Sequence, residues 1–227
     1  MADYSNSVYI STANVDPHNN YGRPTGREWV QSGIMISGNY GLYTAYERYF
    51  EKFWNNNTNR SAFWNAVRYE GEYNHQSENL NYTDDVFSAY FFPIPITFYE
   101  SSWDTIYNPV AKLINEIKNR EYESNLKINM YHLKTDTFGL RFYNELKMIN
   151  NINIESAIHK DSKNGAKNLF IQFDELYWAA PTHAKNYTIS ENIPGSKVYY
   201  SITGSTNAKW DAYCSKSNNQ LVIKEID

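Results

Sequence analysis

His183 and Lys185 stand two residues apart in the run THAKNYTISENIPGSKVYYSITGSTNAKW, and Asn207 closes that run after a Gly-Ser turn. If a strand carries the first pair, both side chains fall on one face. A second strand and the turn then return Asn207 beside them. An imidazole, an ammonium and a carboxamide on one surface suit a phosphodiester. Lys185 would neutralise the non-bridging oxygens, Asn207 would donate a hydrogen bond to them, and His183 would attack phosphorus. Alone, each element has a plainer explanation. A His-x-Lys on a strand is usually a surface feature, and Gly-Ser-x-Asn is usually a turn. His132-Leu133-Lys134 repeats the spacing, and His159-Lys160-Asp161 reads as a charged turn.

The elements that must position these residues follow from periodicity. Ser7–Thr12 and Val30–Ser37 read as strands, the second ended by Gly38-Asn39. Leu42, Ala45, Tyr46, Tyr49, Phe50, Phe53 and Trp54 lie at helical spacing on one apolar face. The polar run from Asn55 to Arg60 breaks that helix, and Ser61–Asp85, rich in Tyr and Asn, reads as a long excursion. Val86–Phe92 reads as a strand closed by Pro93. Asn108-Pro109 is an N-cap followed by a first-turn proline, and Val110, Leu113, Ile114 and Ile117 mark the helical face behind it. Leu126–Tyr131 reads as a strand, Asp136 as a cap and Phe138–Ile149 as a helix. Further strands are expected at Ile152–His159, Leu169–Phe173, Ala184–Ile189, Lys197–Thr203 and Gln220–Lys224. Alternating strands and helices predict an α/β fold, a mixed central β-sheet flanked by helices on both faces, with the site at a strand-end cleft.

Bulk properties narrow the function classes. The chain has 227 residues, enough for one large or two small domains, and 41% are hydrophobic, which excludes a disordered chain. Twenty-one tyrosines let it pack well while its composition stays polar. The formal net charge of −4, without a basic block, argues against a broad nucleic-acid surface but leaves room for a narrow phosphate cleft. One cysteine, Cys214, rules out an internal disulfide framework or a cysteine metal cluster and leaves the compartment open. No signal-like segment and no run of membrane-spanning length is present. Sequons begin at Asn56, Asn59, Asn81 and Asn186, and the abundance of Asn explains them.

A faint long repeat adds to this. A strand running into Ser11-Thr12-Ala13-Asn14, then a strand beginning at Gln31, is echoed by a strand running into Gly204-Ser205-Thr206-Asn207, then a strand beginning at Gln220. Taken together, the pattern resembles the phospholipase D superfamily motif HxKxxxxDxxxxxxGSxN. His183, Lys185, Gly204, Ser205 and Asn207 fill its positions. The N-terminal VYISTANVD is similar to the tail of a first copy, with Thr12 and Asn14 at the Ser and Asn positions and Ser11 replacing glycine. The resemblance covers most of the chain except roughly 55–85. It implies a phospholipase D-like sandwich, a phosphohistidine intermediate, and supporting roles for Ser205, Gln220, Thr12, Asn14 and Gln31. It implies no cofactor and no metal.

Three departures qualify what the resemblance implies. The motif aspartate falls on Ser190, with Glu191 next to it. The acidic residues that commonly orient the catalytic histidine are Gln31 and Gln220, a loss of acids also shown by the tyrosyl-DNA phosphodiesterase branch. The first copy's own His-x-Lys would lie upstream of residue 1. Residues 1–60 are therefore expected to be the tail of a first half, 61–100 a connecting excursion, and 101–227 a second half carrying the motif. The chain, which opens on a strand-like run, is expected to be a fragment. A second histidine would come from a missing upstream half, a separate chain or a homodimer. His18, near the first motif tail, fits a solvent-exposed loop better than a site. The expected partner is a phosphodiester, either single-stranded nucleic acid or a phospholipid head group. The alternative is a catalytically incomplete fragment or pseudoenzyme that binds a phosphate group or a partner chain. A third is an unrelated α/β binding protein with a chance motif.

Overall fold

The structure, a computed structural model, describes residues 6–11, 32–56, 80–92, 103, 105–159, 162, 175–177, 183–214 and 218–227. In chain order these form β1 (Ser7–Ser11), β2 (Gly33–Ser37), α1 (Tyr40–Asn55), β3 (Tyr82–Thr83), β4 (Phe87–Phe92), α2 (Pro109–Arg120) and β5 (Ser124–Met130). Then come α3 (Thr137–Lys147), β6 (Ile152–Ile158), β7 (Glu175–Tyr177), β8 (Lys185–Ile193), β9 (Ser196–Gly204), α4 (Trp210–Cys214) and β10 (Asn218–Ile226). Eight strands make one sheet in the order β3-β4-β10-β9-β8-β5-β6-β7. The β5–β6 and β6–β7 pairs are parallel, and the other pairs are antiparallel. Parallel pairing of β5 and β6 requires a crossover, which α3 supplies.

Strand alternation explains why both faces of this mixed sheet are covered. On β4, Tyr90 and Phe92 face one core while Ala89 and Phe91 face another. On β10, Val222 and Leu221 divide in the same way. The larger core packs Leu126, Ile128 and Met130 of β5, Tyr187 and Ile189 of β8 and Ile202 of β9 under α2, α3 and α4. The smaller one packs Leu42 and Ala45 of α1 and Val8, Ile10 and Ile36 of the β1–β2 pair onto β4 and β10. Each such buried aliphatic side chain stabilises by about 1.5–3 kcal/mol relative to exposure.

The helices begin where local chemistry fixes them. Asn39 accepts from the Leu42 N–H at 2.9 Å. Asn108, fully buried, accepts from Val110 at 2.9 Å and Ala111 at 3.2 Å, with Pro109 at the first helical position. Asp136 caps α3 through Gly139 and also accepts from the Trp210 N–H at 2.8 Å, tying α3 to α4. The β8–β9 hairpin turns on Pro194-Gly195, where Gly195 has φ 80°.

The sequence-predicted α1, α2, α3, β4, β5, β6, β9 and β10 appear within a few residues of their expected ranges. The expected strand at 169–173 lies outside the described residues. β7 was not expected, and the short β3 falls in what reads as an irregular excursion. Lys185 opens β8, so His183 precedes the strand by two residues.

Candidate active site

β8 runs antiparallel to β5, which pairs in parallel with β6 on its other side, so the start of β8 and the C-terminal ends of β5 and β6 lie at the same end of the sheet. Met130 pairs with both Ile158 and Lys185. Beyond the strands, the Tyr131 N–H donates to the Ala184 carbonyl at 2.9 Å and the His159 N–H to the Met130 carbonyl at 3.0 Å. These bonds carry the ladders one residue further and bring Tyr131, His132, His159 and His183 to the same rim.

The side chains of His183 and Lys185 touch. Lys185 Nζ lies 3.0 Å from His183 Nδ1 and donates to the His183 carbonyl at 2.9 Å. Both residues are buried, at 6% and 4% exposure. Burial pushes the Lys185 ammonium down to about 7. The tautomer of His183 sets the direction of this contact. With the ammonium charged, Nδ1 accepts its proton and the ring proton sits on Nε2. With the amine neutral, Nδ1–H donates to Nζ and Nε2 carries the ring's lone pair. Lys185 Nζ also lies 5.9 Å from the Tyr131 ring centroid, within cation–π range. The Tyr131 ring meets His132 at 4.1 Å, His183 at 4.6 Å and His159 at 4.8 Å between centroids.

The second part of the motif is a turn anchored on both sides. Gly204 has φ 151°, and a Cβ there would run into the Asn219 carbonyl oxygen, so this position requires glycine. The Ser205 N–H donates to the Asn219 carbonyl at 3.1 Å, and Ser205 Oγ accepts from the Asn219 N–H at 3.1 Å. Thr206 Oγ1 donates to the same carbonyl at 3.0 Å. Asn207 Oδ1 accepts from the His132 N–H at 3.3 Å, and the Ala208 N–H donates to the His132 carbonyl at 2.9 Å. Since β8 lies between β9 and β5, that link spans the start of β8, where His183 and Lys185 sit. The group Asn207 can offer to a phosphate oxygen is its Nδ2 amide.

Gln220 is fully buried on β10 in register with Gly204. Its Nε2 donates to the Tyr213 hydroxyl at 3.4 Å, while Oε1 accepts no hydrogen bond among the described residues. At the far end of β8, Ser190 is half-buried, and Glu191 is fully buried against Arg120, with contacts of 2.9 and 3.1 Å. The acid beside the motif position is thus a structural partner of α2. Thr12, Asn14, Gln31 and His18 lie outside the described residues. Ser32, next to Gln31, bonds Asn186 at 2.9 and 3.1 Å, and Asn186 also accepts from Thr203.

Among the described residues, no group of three or more His, Cys, Asp or Glu is placed to hold a metal ion, and no helix is long and apolar enough to cross a membrane. Sequence reasoning set His132 and His159 aside and missed Tyr131. The signal for all three lies in the β6-β5-β8 register, which single-residue patterns do not carry. It also missed Lys209, buried beside the turn and paired with Asp211 at 3.1 Å.

No protein-family model and no curated protein matches the chain. Among solved structures it is similar to a polyphosphate kinase from Porphyromonas gingivalis, at 8% identity over 96% of this chain and 27% of that one, with a TM-score of 0.49. It is also similar to a yeast tyrosyl-DNA phosphodiesterase mutant, at 8% identity over 96% and 63% of the two chains, with a TM-score of 0.45. A phospholipase D family member, Nuc from Salmonella typhimurium, matches at 17% identity over 49% and 73%, with a TM-score of 0.29. The chain spans about a quarter of the length of that polyphosphate kinase.

Proposed function

We propose that this chain carries one half of a phosphodiesterase site in which His183 is the nucleophile toward phosphorus. The observation that carries the reading is the 3.0 Å contact between Lys185 Nζ and His183 Nδ1, buried at the rim that the Asn207 turn spans. When Nδ1–H donates to the neutral amine, Nε2 holds the lone pair that attack requires. An incoming phosphate anion favours the charged ammonium, which turns from Nδ1 to the non-bridging oxygens beside the Asn207 amide, so the ring keeps its proton on Nδ1 and its lone pair on Nε2. Transfer to His183 gives a phosphohistidine, which water then hydrolyses.

The chain's resemblance to the phospholipase D superfamily rests on His183, Lys185, Gly204, Ser205 and Asn207, and it points the same way. In this reading β1, β2 and α1 are the tail of a first unit, and residues 101–227 are the second. Single-stranded nucleic acid is the favoured substrate over a phospholipid head group. The net charge of −4 disfavours a long duplex, and the motif acids are replaced at Ser190 and Gln220.

A second reading, phosphate or partner binding without turnover, is favoured by two bonds. Asn207 Oδ1 is engaged by the His132 backbone, and Gln220 is engaged by Tyr213. Hydrolysis of bis-p-nitrophenyl phosphate and of a single-stranded oligonucleotide, by the protein and by His183→Ala, separates the two. The enzyme reading expects both activities, with loss in the variant. Equal rates for the two proteins remove His183 from the mechanism. Binding without cleavage supports the second reading.

A further inference from the structure

We infer that the Tyr131 ring closes this site, and that a phosphate enters only when the ring swings out. The inference rests on the proposed phosphate role of the His183–Lys185 pair and names how access to that pair is controlled. His183 and Lys185 are the groups that meet the anion in that reading, yet they are 6% and 4% exposed. Some neighbour has to give way before an anion reaches them.

The backbone around the pair is held in place. Lys185 is in register with Met130, and the Tyr131 N–H continues that ladder to the Ala184 carbonyl at 2.9 Å. The Tyr131 carbonyl accepts from Ser162 Oγ at 2.9 Å. The Asn207 turn is fastened to the His132 N–H, and Ala208 to the His132 carbonyl. Shifting any of these segments strands backbone groups without partners. A side chain that rotates about its own Cα–Cβ bond breaks none of these bonds.

Tyr131 is the side chain placed to do this. Its ring centroid lies 4.1 Å from that of His132, 4.6 Å from His183 and 4.8 Å from His159, with Lys185 Nζ 5.9 Å away. Rings at such separations are in direct contact, so no tetrahedral anion fits between Tyr131 and His183. Tyr131 is half-buried, whereas His159, His183 and Lys185 are buried, so the ring sits on the solvent side of the cluster it covers. The ring offers the ammonium only a quadrupole, while a phosphate offers a full charge. An anion therefore takes Lys185 from the ring, and a neutral ester does not. The gate ties opening to the charge that a phosphodiester carries.

The test is binding of inorganic phosphate, measured by calorimetry in the full chain and its variants at one pH and ionic strength. When the open form is a minor population, the apparent dissociation constant is the intrinsic one divided by the open fraction. Tyr131→Ala removes the ring and should tighten binding by at least about 10-fold, the gain expected if about a tenth of the molecules are open. Tyr131→Phe keeps the ring and should stay within about threefold of the wild type. Lys185→Met should abolish binding. Lys185-dependent binding that is equally tight or weaker in Tyr131→Ala overturns the gate and leaves the site standing. Binding that survives Lys185→Met, or none in either the wild type or Tyr131→Ala, overturns the reading of the site and the gate with it. If Tyr131→Ala does not fold, the wild-type protein decides. Nuclear Overhauser contacts from the Tyr131 ring to the His159 and His183 rings should disappear as phosphate saturates the protein, and their persistence at saturation overturns the proposal.

Discussion

The two ends of β8 hold buried charge in opposite ways. Lys185 and Glu191 both fall at inward positions of the same strand, and both are almost fully buried. At the Glu191 end the charge is matched, with both carboxylate oxygens meeting Arg120 from α2. At the Lys185 end the ammonium faces an imidazole nitrogen, a carbonyl and a tyrosine ring, and burial drives its pKa down to about 7. The first arrangement holds a helix to a sheet. The second buries an ammonium against an imidazole at a strand end, with its pKa perturbed by desolvation, which is the pattern of a site.

The contrast breaks most sharply at Lys185. Lys185→Met should lower diesterase activity by on the order of 10²–10³-fold, about 3–4 kcal/mol, as loss of one oxyanion partner does. Its thermal midpoint should match or exceed that of the wild type. The sign of the pH effect follows from the two pKa values. Lys185 holds its proton less tightly when folded, at about 7, than at the ordinary value of 10.5. Wild-type stability should therefore gain a rising contribution between those two pH values, absent from the Met variant in denaturant titrations.

Arg120→Ala attacks the other end. It strands the Glu191 carboxylate in the core and should cost about 3 kcal/mol in urea unfolding. Activity per folded molecule should stay within about twofold of the wild type. A large loss of activity with unchanged stability would reverse the assignment of the two ends.

Much of this was legible in the chain, for physical reasons that also mark where legibility stopped. The spacing of His183 and Lys185 pointed to a meeting, but His183 precedes β8, and the contact is made by Lys185 Nζ reaching back to the His183 ring and carbonyl. Gly204 was legible because only glycine suits its φ and its approach to Asn219. Asn108-Pro109 and Asp136 declared their helices by capping chemistry. The bond from Asn207 to His132 was not legible, because it depends on β9 and β5 lying on either side of β8. The gathering of His159, Tyr131 and His183 depends on the same strand order, as does the pairing of Glu191 with Arg120. Local spacing defines a face, while neighbours on that face come from the register of distant strands.

Two smaller effects sharpen the picture. Gly204→Ala should destabilise by about 2 kcal/mol, since the new Cβ meets the Asn219 carbonyl in an unfavourable backbone region. Because it displaces the turn that carries Asn207, it should also reduce activity, measured per folded molecule. Asp84 lies at an exposed turn remote from this rim. Slight burial there raises its pKa, but bonds from the Phe87 and Val86 N–H groups, the Tyr82 hydroxyl and the Asn39 amide outweigh this and hold it at about 2. Asp84→Asn should cost at most about 1 kcal/mol at neutral pH. That difference should vanish as pH falls from the ordinary 3.8 through about 2, with no effect on catalysis.

The most direct measurement is to trap the intermediate. Protein mixed with bis-p-nitrophenyl phosphate, quenched in alkaline denaturant and mapped by peptide mass spectrometry should carry a phosphoryl adduct on the peptide holding His183. His183→Ala should carry none and should not turn over. Turnover without an adduct at His183, or a His183→Ala variant as fast as the wild type, would contradict the account.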